Sequence, residues 1–347
     1  MKKLLFLLSL TLFVCVLRAQ IKSDKDPYMT KTLSGESIKN VEVETSGGNI
    51  AVTGGNTSDA RIEVYVQQNN YKGKDLSKEE IQKRLNDDYN LEISVANNKL
   101  TAVAKPKDRH MDWKNALNIS FKVFTSQNIS TELSTSGGSI DLKNISGTQD
   151  FSTSGGGLRV DNLSGKIKGR TSGGSIDIIN SKDEIDMATS GGSIIADHCT
   201  GDLKLSTSGG SLKLTDLNGM IDANTSGGNV HGNNISGELN AHTSGGNIEL
   251  SDLSCSLETS TSGGNIDVAI KEFGKYVKIS NSGGNIDLQI PKNKGLNLKL
   301  SGDKIKTESL TNFNGTTDED EINGTLNGGG IPVTVKAGSG KITLSFK

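Results

Sequence analysis

Residues 134–147 read STSGGSIDLKNISG and residues 152–165 read STSGGGLRVDNLSG. The triplet Ser-Gly-Gly begins at Ser46, Ser136, Ser154, Ser172, Ser190, Ser208, Ser226, Ser244, Ser262 and Ser282. From Ser136 to Ser262 every interval is 18 residues, and the next is 20. A fixed period of this length is the mark of a repeat architecture, in which one unit cannot bury its apolar face and neighbouring units bury it together.

Aligning the units on the serine as position zero shows what each residue is for. Position four is Ile140, Leu158, Ile176, Ile194, Leu212, Val230, Ile248 and Ile266, and position six is mostly Leu, Val or Ile. The residues between and beyond are polar, as in Asp141 and Lys143 or Lys213 and Thr215. This alternation of period two describes a strand with one wet face. Position eight is Asn, Asp or His, position nine is usually apolar and position eleven is usually Gly. Asn and Asp tolerate left-handed backbone angles and glycine takes them without steric cost, so this is a turn with one buried apolar peg. Positions thirteen and fifteen restart the alternation, and position seventeen is Thr from Thr135 through Thr261. The reading is all-β: a parallel β-solenoid with 18-residue coils of two short strands, glycine corners, and coil-to-coil ladders of Thr, Ser and Asn.

The flanks divide the chain further. VEVETSGGNIAV (41–52) resembles a coil, after which the strict period lapses until Thr135. Within the lapse, RIEVYV (61–66), LEISVA (91–96), KLTAVA (99–104) and LNISFKVF (117–124) alternate like strands. Ser77 to Glu80 is a capping-box pattern that opens a helix to about Asp87, with Ile81 and Leu85 on one face. The expected organisation is a leader at 1–19, an N-terminal region of irregular β-coils and one helix at 20–134, regular repeats at 135–290, and a C-terminal β-cap at 291–347. Trp113 and most Phe and Tyr fall outside the strict repeats, where capping segments belong. The final stretch, from Gly328, is expected to close one end.

Residues 1–20 pair the positive Lys2 and Lys3 with an apolar run, Leu4 to Leu17, and a small residue, Ala19. This is the pattern of a secretory signal peptide, and the run is shorter than the ~20 residues that span a bilayer. Cys15 opens a lipoprotein alternative, against which stands the bulky Val14. No later segment is long and apolar enough for a transmembrane span. Removing Lys2, Lys3 and Arg18 with the leader leaves 35 basic against 40 acidic side chains, a net charge of −5. That balance argues against nucleic acid or anionic lipid as a partner. The two remaining cysteines, Cys199 and Cys255, are too few for a disulfide framework. Cys199 occupies the apolar peg column and Cys255 the glycine column, about three coils apart, so they are not expected to bridge.

Catalytic, cofactor and metal patterns were sought in turn, and no residue is assigned to any of the three. His110, His198, His231 and His242 share no repeat column and read as isolated solvent-facing side chains. SGGNID invites comparison with calcium-binding roll repeats, but position five is Arg159, Ile195, Lys213 or His231 in several units, which supplies no oxygen ligand. The repeated serines lack a partnered base, and a strand rather than a helix follows the glycine pair, which disfavours a phosphate loop. No loop between Ser136 and Thr261 is long enough to carry a polysaccharide-cleaving site, and one file of threonines is short of the two that an ice-binding face needs.

The leader, the early TSGGNI coil, the strand-and-helix excursion and the repeated TSGGSI…NISG coils together resemble the bacterial putative-adhesin family of β-strand-repeat proteins. The resemblance covers about Val41 to the C-terminus. It implies an exported cell-envelope or secreted protein, periplasmic or on the outer surface, without established catalytic residues. The expected function is non-enzymatic, in adhesion or envelope-surface interaction, with an unidentified protein or glycan ligand. An envelope-stress accessory that binds a membrane regulator is the alternative. A glycan-active enzyme is the third, and it would need a clustered acidic pair on one face. Export is expected to remove the leader at or near Ala19. Intact mass of the exported protein checks this, and retention of Met1 would refute it.

Overall fold

The computed structural model describes residues 26–69, 76–108 and 116–347. The leader with Cys15, and also His110 and Trp113, lie outside the described residues. The described chain is all-β apart from one α-helix and one short 3-10 turn, with 27 strands joined in one mixed sheet.

Through the repeats, each strand pairs in parallel with the strand 18 residues on. Leu158–Asp161 lies between Ile140–Lys143 and Ile176–Ile179, and Ser164–Thr171 lies between Ser146–Thr153 and Lys182–Thr189. The strand parity read from the repeat holds. Positions four and six are buried in every unit, and Ile140, Ile176, Ile194 and Leu212 are fully enclosed. Position nine is buried as the peg expects, at Ile145, Leu163, Cys199, Leu217 and Ile235. Position eight takes the left-handed angle, with φ between 52° and 58° at Asn144, Asn162, Asn180, His198, Asp216, Asn234 and Asp252. Where the core varies, sizes compensate across units. A Cβ on Gly169 would lie 2.6 Å from Met187 Sδ and 2.7 Å from the Phe151 ring, so glycine makes room for its two larger neighbours.

The two glycines of each triplet differ in what confines them. An added Cβ would lie 2.0 Å from Gly192 O at Gly210, but 3.6 Å from the nearest atom at Gly209. The second glycine is therefore required by the close approach of the preceding unit's backbone, and the first is not. Beside it, Thr207 is buried and its Oγ1 donates to Gly192 O (2.8 Å) and accepts from Gly210 N (3.2 Å). The threonine column thus ties each turn to the turn before it.

Three expectations are corrected. First, the arrangement is not wholly parallel. Arg61–Gln68 pairs antiparallel with Met29–Thr32 and with Leu117–Ser126, Tyr89–Ala96 with Lys99–Pro106, and Glu321–Leu326 with Leu296–Ser301 and Phe313–Thr317. These antiparallel pairs occur toward the ends of the repeat run, where an unpaired strand would expose a row of backbone donors and acceptors. The excursion between the first unit and the regular repeats folds back. Lys99–Pro106 and Leu117–Ser126 pair with one side of Asn40–Thr45 and Ile50–Gly55, while Ser130–Thr135 and Ile140–Lys143 pair with the other. At the opposite end Ile331–Ala337 and Lys341–Phe346 are paired on both sides, so the last stretch lies inside the sheet and does not close its edge.

Second, the units are not all pairs of short strands: Leu212–Thr225, Val230–His242, Ile248–Thr261 and Ile266–Asn281 each run as one continuous strand. Third, Cys255 is not a corner residue. It is 1% exposed, and it lacks the positive φ of Gly219 (136°) and Gly237 (101°) in the same column. A residue with a Cβ does not readily take those angles. The register shifts around Cys255 as the 18-residue unit meets the 20-residue one.

The helix Lys78–Asp88 starts with the expected reciprocal cap between Ser77 and Glu80, buries Leu85 and packs Ile81 against the core. Gly210→Ala is expected to destabilise the protein by about 3 kcal/mol or more through backbone overlap, and Gly209→Ala by less than about 1 kcal/mol. Denaturant unfolding of both variants checks this; equal costs would contradict the assigned contact.

Candidate functional site

In-register parallel pairing turns each repeat position into a file of side chains across the sheet. Positions five and seven point outward, on either side of position six, whose side chain is buried. Between these files an open groove of about 750 Å³ crosses the strands from Lys213–Thr215 to Thr343–Ser345. Because the side chains of Leu250, Val268 and Leu288 turn inward, the groove floor there is main chain. One wall carries Lys213, His231, Glu249, Asp267, Asp287 and Thr343, and the other carries neutral side chains including Asn233, Ser251 and Gln289.

The first wall concentrates negative charge. Glu249 is the register partner of Asp267, and Asp267 of Asp287. His231 Nδ1 lies 3.1 Å from Glu249 Oε2. Neither Asp267 nor Asp287 has a basic side chain within ion-pair distance among the described residues. The Asp267 carboxyl is held above its ordinary range, first by partial burial, then by the charges of Asp287 and Glu249 and a hydrogen bond with Asp287. Like charges directly opposite on neighbouring strands are destabilising. Sequence reading examined this column only for calcium ligands at every coil. The signal it passed over was a local run of one sign, Glu249-Asp267-Asp287, in a column whose charges alternate at Asp141, Arg159 and Asp177.

A second cluster sits at a turn. His198 Nδ1 is 2.8 Å from Asp197 Oδ1, and His198 Nε2 is 3.3 Å from Asp216 Oδ2. Their ligand atoms lie within 4.8 Å of one another, a geometry able to hold a metal ion. Both ring nitrogens are already engaged, so as placed the imidazole bridges two units. His242 Nδ1 is 2.7 Å from Ser260 Oγ. The described histidines are thus not isolated, which corrects the sequence expectation. Each has a partner because parallel register brings up a residue 18 positions on.

The serine of each triplet lies in a turn whose backbone is bonded to the preceding turn, as Gly209 N is to Ser190 O (3.0 Å). Both free cysteines are buried; burial raises the Cys199 thiol and pushes Cys255 up to about 12. Such thiols are poor nucleophiles.

No family model matches the chain, and no curated protein matches it in sequence. Three solved structures align with 92% of it. A putative cell adhesion protein from Clostridium sporogenes is 12% identical over 98% of its own length, with a TM-score of 0.20. A putative adhesin from Bacteroides fragilis is 12% identical over 96% of its length, with a TM-score of 0.24. A putative lipid binding protein from Parabacteroides distasonis is 15% identical over 97% of its length, with a TM-score of 0.30. Among the described residues no helix is long and apolar enough to cross a membrane.

A raised carboxyl pKa means that the folded chain holds the Asp267 proton more tightly than the unfolded chain does. Ionisation therefore costs stability as pH rises from the unfolded value through the folded one. Asp267→Asn is expected to stabilise the protein at pH 7 by about 0.2–1 kcal/mol, the scale of an exposed cross-strand charge contact. The gain should vanish at pH 3, where the wild-type carboxyl is protonated in both states. Unfolding curves at the two pH values check this, and an unchanged or lower stability at pH 7 would count against the charge crowding.

Proposed function

We propose that the chain is an exported, non-enzymatic β-solenoid, parallel through its repeats, whose outer face binds a surface ligand, in adhesion or in another cell-envelope contact. The observation that supports this most directly is the uninterrupted outer face. From Ser130 to Gln289 the units are joined by short turns such as 136–139, and the outward side chains of successive units stand in files open to solvent. Such a face suits an extended partner more than a small enclosed substrate.

The acidic pair that a glycan-cleaving enzyme would need is present at Asp267 and Asp287, but the two are register partners in one outward file and do not face each other across the groove. Glycoside hydrolysis by paired carboxylates needs the two to flank the scissile bond. The groove also lacks aromatic lining on which a sugar ring would stack. These features favour binding over catalysis.

Protease treatment of intact cells tests the reading. Digestion of the protein without cell opening, with loss of cell attachment to a coated surface, is the expected result. Protection until the envelope is opened, together with co-purification of an inner-membrane protein, would overturn it in favour of the stress-accessory role.

A further inference from the structure

Among the described residues the sheet ends in four strands that are paired on one side only: Met29–Thr32, Tyr89–Ala96, Lys304–Thr307 and Phe313–Thr317. An open strand edge is a template for another chain, and folds blunt such edges with short length, charge or covering chain. Three of the four are blunted. Met29–Thr32 has only four residues and carries Lys31. Lys31 Nζ donates to Ile93 O (3.2 Å) in Tyr89–Ala96, and the Tyr89 N–H is spent on Leu85 O at the end of the helix. Ile305 N donates to Glu319 O (2.7 Å) and Gly302 N to Asp320 O (3.0 Å), so a later segment lies along Lys304–Thr307. Phe313–Thr317 has none of these guards. It reads FNGTT, without charge or proline, and is exposed from Asn314 to Thr317.

The bonds at its two ends fix which backbone groups are open. Asn327 N donates to Asn312 O and Asp318 N to Glu321 O, so the even-numbered residues are the ones bonded to Glu321–Leu326. The N–H and C=O groups of Phe313, Gly315 and Thr317 therefore point to the free side. We infer that this strand pairs antiparallel with the same strand of a second copy of the chain, about an axis at Gly315, to give a closed two-fold dimer. Pairing about that residue sets Phe313 against Thr317 of the second copy and Gly315 against its own counterpart. Each pair then exchanges both of its hydrogen bonds, and no open group is left over. At the axis, where a residue meets itself, the chain has glycine and no side chain has to be accommodated. The flanking pairs join an aromatic to a β-branched side chain, a favourable cross-strand combination. The acidic run Asp318–Glu321 of each copy falls at opposite ends of the ribbon, against the uncharged stretch Ser309–Asn312 of the other. Head-to-tail growth has no receptive edge, because the opposite end of the sheet offers only the two blunted strands, Met29–Thr32 and Tyr89–Ala96. The contact is therefore isologous and closes at two copies. One short strand pair falls far below the about 1,000 Å² of a stable interface, so association is reversible and concentration-dependent. It uses a strand edge and is independent of what the outer face binds.

Sedimentation velocity of the exported protein, from micromolar to near-millimolar concentration, tests the assignment. The expected result is a reversible monomer–dimer equilibrium that stops at the dimer. Thr317→Pro removes one outward N–H and leaves the bonds of Thr316 and Asp318 to the neighbouring strand, a placement that edge strands tolerate. Thr316→Lys adds the charge that guards other edges. Each variant should dimerise at least tenfold more weakly, with its melting temperature maintained. A wild type that stays monomeric throughout, or a dimer that both folded variants keep at full strength, would overturn the inference. Growth past the dimer as concentration rises would do so too, since it marks head-to-tail pairing. A monomeric wild type whose cell attachment is lost in Thr317→Pro and Thr316→Lys assigns the edge to a foreign strand and refutes self-pairing. A monomeric wild type that attaches as well as both variants removes the dimer and leaves the outer-face reading standing.

Discussion

One carbonyl oxygen per unit, that of the second glycine in Ser-Gly-Gly, sets the geometry to which the rest of the repeat conforms. It accepts a hydrogen bond from the threonine of the next unit at 2.7–2.9 Å in eight successive turns, from Thr135 to Thr261. The same oxygen lies where a Cβ on the next unit's second glycine would have to go. Glycine is thus demanded by the hydrogen bond that threonine makes, and the two columns stand or fall together. Each bond adds on the order of 1 kcal/mol net, and a buried acceptor left unpaired costs more than that. The last turn confirms the logic chemically. Asn281 replaces threonine, and its Nδ2 donates to Gly264 O (2.7 Å) while its Oδ1 accepts from Gly284 N (3.0 Å). A longer side chain with both a donor and an acceptor performs the same two tasks.

This contact also explains how a long excursion is accommodated. Thr135 bonds Gly48 O, so the first unit joins the regular repeats as their direct neighbour although 87 residues separate the two groups. The intervening chain needs only to leave and return at the same turn. It uses that freedom to lay two parallel strands over the first unit and antiparallel hairpins and a helix around them. A register enforced at every turn tolerates an insertion between turns.

Much of this was legible in the sequence because each column has one physical task. Alternation marked the inward residues, Asn and Asp at position eight marked the left-handed turn, and Ser77 with Glu80 marked the helix start. What could not be read depends on partners distant in the chain. The antiparallel pairs and the doubly paired segment Ile331–Phe346 leave no local signature, since a strand that alternates does so in either direction. Cys255 was misread because its column is mostly glycine, and the exception, Asp183, still takes a positive φ (82°). In its own unit the turn is rebuilt around a residue that does not readily adopt the glycine angle, and its side chain goes inward. The acidic wall was missed for a related reason. Columns were weighed as wholes, whereas the acidic wall is three successive members of one column.

The division of labour between columns is what leaves the outer face free to carry function. The inward columns and the threonine–glycine contacts repeat in every regular unit, so stability is spread over many equivalent neighbours. A cross-strand repulsion of about 0.2–1 kcal/mol at one outward position is small beside that distributed total. Position five can therefore alternate in sign where it only needs to be compatible with the fold, as at Asp141, Arg159 and Asp177. It can also gather one sign, as at Glu249, Asp267 and Asp287. A run of like charge in a solvent-facing column costs this fold little, while the second-glycine column excludes even one methyl group and the threonine column needs a side chain that both donates and accepts, as threonine and Asn281 do. The contrast between these two tolerances is why Glu249, Asp267 and Asp287 can stand side by side in an outward column without disturbing the turns that hold the sheet together.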